Sequence, residues 1–406
     1  MSTARAGSTT WEALALNGGR PVRPAPLPWG LVVTDVLRRR ILEAVDTGIL
    51  SEWYNGPQAR RFEDAFAAFH GEGVHAVAVN SGTSALHLAL EVAGVGSGDE
   101  VILPALCYVA AAVAVVQLGA TPVICDVEQR SLTLDPERAR ELIGPQTRAI
   151  LPVHFWGYPA DLPALRRLCD EHGLALVEDA AQAPGCRVGD ALTGSFGDTA
   201  AFSFANRKHV TCGEGGMVLC RSADVAARVR ALANCGKGIG WDEYESHGYS
   251  YRMVEVSAVA GLYGLARIGE EIAARRAAAT KYRRMLAGST LEPVPDPPWG
   301  EAVYFKLPIM LPGDRAGDRD LVVRAIAAEN VSCRVPHRPL YAIEWLAQHV
   351  EQAGRPSGPE ECPVTARLYP RLFEVETGPN LPPDEASRSA TAVDKVWRAI
   401  REARGG

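Results

Sequence analysis

The chain lacks most of the features that would place it in a class at first sight. Its nine cysteines, at positions 107, 125, 169, 186, 212, 220, 235, 333 and 362, never form a C-x-x-C pair. Scattered and odd in number, they suit reduced thiols and offer neither a zinc site nor a disulfide framework. Cys125, Cys169 and Cys220 lie in apolar surroundings and read as small core residues. No apolar run approaches membrane-spanning length, the longest being Ala-rich and centred on Val109 to Val116. There is no basic surplus either: 42 Lys and Arg against 48 Asp and Glu leave a formal charge of -6, which argues against a nucleic-acid surface. The opening Met-Ser-Thr-Ala-Arg carries no charged-then-apolar leader pattern. These absences lead us to expect a cytoplasmic protein with no metal, membrane or nucleic-acid partner.

What is present is a globular composition, 47% hydrophobic and 22% charged, over 406 residues, which suits two domains better than one core. Residues 1–30, rich in Gly, Pro and Arg, read as an extended arm. From His75 onward, strand and helix patterns alternate. Expected strands are His75–Val79, Glu100–Leu103, Pro122–Asp126, Ala149–His154, Ala175–Asp179, Ala200–Phe204 and Met217–Cys220, with helices such as Thr83–Ala93 and Leu162–His172 between them. Such alternation implies an α/β fold: a mainly parallel sheet sandwiched by helices, with a ligand at the carboxyl ends of the strands. We therefore expect a large domain over 31–255. The periodicity predicts one long helix from Val254 to Leu286, leading into a smaller α+β C-terminal domain over 256–406.

Three segments carry chemistry. Val79-Asn80-Ser81-Gly82-Thr83-Ser84 reads as strand, small-residue turn and helix start, a place where free amides suit a phosphate, although Ser-Gly-Thr is also a common N-cap. Asp179 ends an apolar strand, where a buried carboxylate needs a cationic partner. Glu178 points to the opposite face and reads as structural, while Gln182 lies one helical turn on. Lys208 follows the apolar strand Ala200–Phe204 and precedes Gly213-Glu214-Gly215-Gly216, whereas Lys237 sits between glycines and Lys281 among arginines. An acid for a pyridinium nitrogen and an amine for a Schiff base are what pyridoxal 5'-phosphate (PLP) requires. Ser203 can add a hydroxyl to the phosphate, and Tyr108 reads either as core or as an aromatic stacked on a flat ring. His209 reads as structural or as a wall of the substrate site.

These residues resemble a known family over nearly the whole chain. Leu16-Asn17-Gly18-Gly19-Arg20-Pro21, Asn80 to His87, Pro152 to Gly157, Glu178 to Gln182, Ser203 to Lys208, Gly213 to Gly216, Gly248 to Met253 and Cys362-Pro363 are similar to the DegT/StrS group. These are fold-type-I PLP-dependent aminotransferases acting on sugars and aminocyclitols in antibiotic and cell-surface biosynthesis. The resemblance implies that Lys208 holds PLP, that Asp179 faces the ring nitrogen and that Gln182 lies near the ring oxygen. Tyr108 would stack on the ring, and Gly82, Thr83 and Ser203 would hold the phosphate. It implies a homodimer with shared active sites, Asn234 reaching the phosphate of the neighbouring subunit. Lys208 sets aside the branch in which histidine replaces lysine. Ala205-Asn206-Arg207, His209, Ser250 and Ser257 depart from the family pattern where substrate approaches. The Gly18-Gly19-Arg20-Pro21 opening resembles the aminocyclitol and aminohydroxybenzoate branches more than the nucleotide-sugar branch.

The expected reaction is transfer of an amino group from L-glutamate or L-glutamine to a keto-sugar or keto-cyclitol, with pyridoxamine phosphate as the intermediate form of the cofactor. Tyr54, His154, Arg207 and His209 are candidate substrate contacts, and Arg334 and Arg338 candidate ligands of the donor carboxylate. Two alternatives stay open: a PLP-dependent dehydratase or aromatase acting on an amino-polyol ring, and a non-catalytic PLP-binding regulator.

Overall fold

The computed structural model describes residues 11–27, 30–51, 56–238, 242–378 and 383–405. Short apolar runs make the first strands: β1 (His75–Val79), β2 (Glu100–Pro104), β3 (Thr121–Cys125), β4 (Thr147–Ile150) and β5 (Ala175–Asp179). A small ribbon, β6 (Arg187–Val188) and β7 (Ala191–Leu192), precedes β8 (Thr199–Ser203) and β9 (Gly216–Cys220). The main sheet has seven strands in the order β1-β9-β8-β5-β4-β2-β3. Strands β2 to β5 and β8 pair in parallel, as near-continuous burial on both faces requires. Only β9 runs against its neighbours, pairing antiparallel with both β8 and β1.

That single reversal places the site. β8 and β9 are joined by a long hairpin in which Phe204 N donates to Gly215 O and Cys212 N donates to Phe204 O, both at 2.9 Å. Lys208 sits within this hairpin. The register sets Asp179 opposite Ala201, and Gly216 opposite both Ser203 and Val79. The ends of β1, β5 and β8 therefore meet on one crest of the sheet.

The remaining strands are β10 (Glu292–Pro293), β11 (Gly300–Glu301), β12 (Lys306–Met310), β13 (Cys333–Arg334) and β14 (Leu372–Glu376). β11 completes the ribbon with β6 and β7, and the others form an antiparallel sheet ordered β10-β12-β14-β13. Strand β14 and the helices Glu344–Gln352 and Pro363–Leu368 have no counterpart among the expected elements.

Two expectations are corrected. The long helix is two, Glu255–Leu265 and Ile268–Leu286, broken at Arg267 with φ -116 and ψ 7. The first ends in a tightened turn, Arg267 N donating to Gly264 O at 3.0 Å, and Gly264 packs on Val210 of the lysine hairpin. No proline marks the break, so the apolar spacing runs through it. Where an extended arm was expected, Trp11–Ala13 and Ala15–Asn17 make two short 3-10 turns, with Leu14 between them fully buried. Glu329 holds them, accepting from Ala15 N at 3.0 Å and Val22 N at 2.8 Å.

Candidate active site

The start of the Gly82–Val92 helix is shaped by packing. Ser81 caps it, its Oγ accepting from Ser84 N at 3.1 Å, while Ser84 Oγ donates to Asn80 Oδ1 at 2.7 Å. The amides of Gly82 and Thr83, in the first turn, have no intrahelical acceptor and face the positive end of the helix dipole. A Cβ on Gly82 would stand 2.6 Å from Ser203 Cβ, so only glycine lets this turn close on β8. Free amides and the Ser203 hydroxyl thereby share one wall of a cavity of about 440 Å³. That size is ordinary for a small-molecule site.

Asp179 enters the cavity from the end of β5. It is buried, and its Oδ1 accepts a single backbone bond, from Ala181 N at 3.0 Å. Burial pushes its carboxyl above the usual range, against the pull of that bond and of Lys208. A cation placed against it would relieve the penalty, which is the fit a protonated pyridine nitrogen offers. Lys208 lines the same cavity with its Nζ 4.6 Å from the Phe305 ring centroid. Burial lowers its ammonium to about 8, opposed by Asp179 and reinforced by Lys306, Arg275 and Arg334. An amine near neutrality inside a cavity is a nucleophile and a proton carrier.

The cavity brings together Gly82, Thr83, Tyr108, Asp179, Gln182 and Ser203, and with them Arg207, Lys208 and Arg334. Tyr108 is half-exposed with its ring 5.0 Å from that of His337. Gln182 Oε1 accepts from Trp156 N at 2.8 Å, which directs its amide group. Arg334 is held by its Nε on Glu374, leaving its Nη atoms without a bond to the described residues.

Other candidates lie elsewhere. His154 is fully buried on the Glu178 face of the sheet and does not reach the cavity. Its Nδ1 accepts from Ala160 N at 3.1 Å, so Nε2 carries the proton and donates to Glu178 Oε2 at 3.1 Å. Glu178 also accepts from the amides of Gly194, Phe196 and Gly197 at 2.7, 2.8 and 2.6 Å. This cluster holds the Thr193–Gly197 loop to β5, which corrects the substrate assignment of His154. His209 is likewise buried, its Nε2 donating to Val303 O at 2.9 Å, and burial keeps the ring neutral. It borders a hollow behind the lysine, not the cavity itself. Arg338 is exposed and outside the cavity. Asn234 is buried away from it, Oδ1 accepting from Arg252 at 2.9 Å and Nδ2 without a partner among the described residues. Tyr54 lies outside the described residues.

Sequence reasoning missed the far wall. Lys306 lines the cavity, buried, and pairs with Glu374 and Glu376, both at 3.0 Å. Trp156 Nε1 donates to Glu374 Oε2 at 2.6 Å. Burial would raise the Glu374 carboxyl, yet Lys306 and Arg334 outweigh it and hold it below the usual range. The signal was charge on alternate positions of two apolar strands, Lys306 and Glu374-Val375-Glu376, legible only once β12 is known to pair with β14.

A lysine, a buried acid and a helix start with free amides meet on the crest of a mainly parallel sheet, the arrangement of a fold-type-I aminotransferase. The chain belongs to the DegT/DnrJ/EryC1/StrS aminotransferase family, whose model matches residues 36–394. Members of this family depend on PLP. The chain is 37% identical over 313 residues to the GDP-perosamine synthase of Caulobacter vibrioides, covering 75% of this chain and 82% of the relative. Among solved structures, DesI in the presence of its TDP-sugar product superposes with a TM-score of 0.85 at 32% identity, covering 97% of this chain and 99% of that one. 3-Amino-5-hydroxybenzoic acid synthase does so at 0.85 and 28% identity, covering 93% and 100%.

Proposed function

We propose that this aminotransferase uses PLP on Lys208 to move an amino group from L-glutamate or L-glutamine to a ketone on a sugar, a nucleotide-linked one in preference to a free cyclitol. The observation that carries the reading is the single cavity holding Lys208, Asp179 and the Gly82–Thr83 amides together. The sugar acceptor is supported by likeness to a GDP-perosamine synthase and to DesI, crystallised with its TDP-sugar product.

The cofactor, when bound, supplies an electron sink for the carbanion left by removing a proton from the donor. The chain's residues do the rest. The Gly82 and Thr83 amides and Ser203 Oγ bind the phosphate. Asp179 would hold the ring nitrogen protonated, Gln182 would serve the ring oxygen, and Tyr108 would supply an aromatic face to the ring. Arg334, tethered at Nε, presents its Nη pair to the donor carboxylate. With the cofactor in place, Lys208 Nζ would be the group that takes the proton from the donor α-carbon and gives one up when the acceptor is aminated. Lys306, held by Glu374 and Glu376, bounds the acceptor together with Arg207.

We further propose a cytoplasmic homodimer in which Asn234, whose buried Nδ2 has no partner among the described residues, completes the neighbouring subunit's cavity. A secondary-metabolite or cell-surface aminosugar is the product class this reading implies. The second reading, loss of water from an amino-polyol ring, is favoured by likeness to 3-amino-5-hydroxybenzoic acid synthase and needs the same Lys208 proton transfer.

Absorption of the PLP-loaded protein, with L-glutamate or L-glutamine added and no acceptor present, tests the proposal. Conversion of the cofactor to its amine form is expected with one of the two. A spectrum indifferent to both would favour the water-loss reaction.

A further inference from the structure

One buried guanidinium behind the cavity takes no part in the steps above. Arg275, on the Ile268–Leu286 helix, has no exposed surface. Its Nε donates to Glu271 Oε1 at 2.6 Å. Nη1 donates to the carbonyls of Phe305 at 3.0 Å and Tyr304 at 3.4 Å, and Nη2 donates to that of Arg207 at 3.2 Å. A buried charge is tolerable only when its donors are used, and here one carboxylate and three carbonyls engage the fork.

Two of those carbonyls belong to residues in the left-handed region, Arg207 with φ 80 and Tyr304 with φ 49. Residues with a Cβ take this conformation only when their surroundings enforce it. Arg207 immediately precedes Lys208. Tyr304 precedes Phe305, whose ring centroid lies 4.6 Å from Lys208 Nζ. One side chain thus ties the backbone behind the amine to the backbone behind the ring on which it rests. Gly378 makes room for the group, since a Cβ there would come within 3.0 Å of Arg275 Cζ. The next arginine offers a contrast. Arg276 donates to Ala302 O at 3.1 Å and pairs with Glu301 at 3.0 Å, gripping the same incoming segment without a bond to the lysine hairpin.

We propose that Arg275 is a positioning residue, which locks the Lys208 hairpin against the Tyr304–Phe305 segment and so fixes where the amine stands, without touching substrate. The proposal rests on the reading of Lys208 as the lysine that takes PLP. Arg275 also lowers the proton affinity of Lys208 through its charge, together with Lys306 and Arg334. Arg275→Lys retains that charge and removes the planar fork, which separates position from field.

The test is the rate at which the full chain, freed of cofactor, condenses with added PLP at pH 8. Lys208 Nζ attacks the aldehyde and water leaves, and the reaction is followed by absorbance. Arg275→Lys, folded by circular dichroism, should be slower by about tenfold or more, since misplacement of a reacting group by a fraction of an ångström has effects of this order. Arg276→Lys should stay within about twofold of wild type. Adding Arg207→Gly to Arg275→Lys should restore most of the lost rate, because glycine takes a positive φ without strain. An unchanged rate in Arg275→Lys, or an equal loss in Arg276→Lys, overturns the proposal. If Arg275→Lys does not fold, Glu271→Gln loosens the outer tether alone; a loss of about two- to fivefold supports the clamp and no loss overturns it. Failure of the wild-type chain to capture PLP overturns the reading of Lys208 and the clamp with it, whereas capture that Arg275→Lys leaves unaltered overturns the clamp alone.

Discussion

Glu178 and Asp179 are consecutive residues on one strand, both buried, and they have opposite surroundings. Glu178 accepts three backbone amides and a histidine, and although burial alone would raise its carboxyl, these partners hold it below the usual range. Asp179 accepts one amide and is raised by burial. Two lysines of the cavity repeat the contrast. Lys306 is paired with Glu374 and Glu376, whereas Lys208 rests on an aromatic ring. In each pair the residue whose hydrogen-bonding needs are met by its own chain holds the fold together. The residue left wanting a partner belongs to the chemistry. Burial alone does not distinguish them, because Glu178, Asp179 and Lys306 are buried and Lys208 is only partly exposed; the supply of partners does.

The two lysines should differ most when substituted. Lys208→Ala should reduce amino transfer by about 10³-fold or more, as loss of a central proton carrier does, with the melting temperature unchanged or raised. Lys306→Met should do the reverse in stability, lowering it by about 3 kcal/mol in denaturant titration, because two buried carboxylates lose their cation. The two acids give the next contrast. Asp179→Asn should lower kcat by about 10²-fold or more while leaving the cofactor-free protein as stable or more so. The sign follows from its raised carboxyl: ionisation is disfavoured in the folded state, so at neutral pH the charge costs stability that the amide does not. Glu178→Ala should destabilise by about 3 kcal/mol with little direct effect on chemistry. Because its folded carboxyl lies below 4.5, the stability it contributes is present above that pH and fades as pH falls through the folded value.

How far these residues were legible follows from how local their signals are. Gly82–Thr83, Asp179 and Lys208 each sit where a short apolar strand meets a polar or glycine turn, a pattern contained in a few residues. Glu178 was assigned to structure by alternation alone, and the structure gives it four partners. His154 was misread because its partner is 24 residues away on a neighbouring strand, and nothing near position 154 marks which face it takes. Lys306 and Glu374 were missed for the same reason at longer range, since their pairing depends on β12 meeting β14. The break at Arg267 escaped because a change of helix axis without proline leaves the apolar spacing intact.

The rate at which the cofactor-free protein captures PLP should fall as pH drops below about 8, since protonation of Lys208 removes the nucleophile; a surface lysine would still be largely protonated there. Arg334→Ala should raise the donor KM by about tenfold, the loss of one bidentate carboxylate contact, while Arg338→Ala leaves it within about twofold. Steady-state kinetics with varied donor separates the two.

Lys208, without an ion pair among the described residues, and not the paired Lys306, is expected to take the cofactor. Borohydride treatment of the PLP-loaded protein, followed by peptide mapping, reads this directly, because both lysines line the same cavity. The pyridoxyl phosphate is expected on the peptide containing Lys208 and not on that containing Lys306. Label on Lys306, or spread over surface lysines, would contradict it.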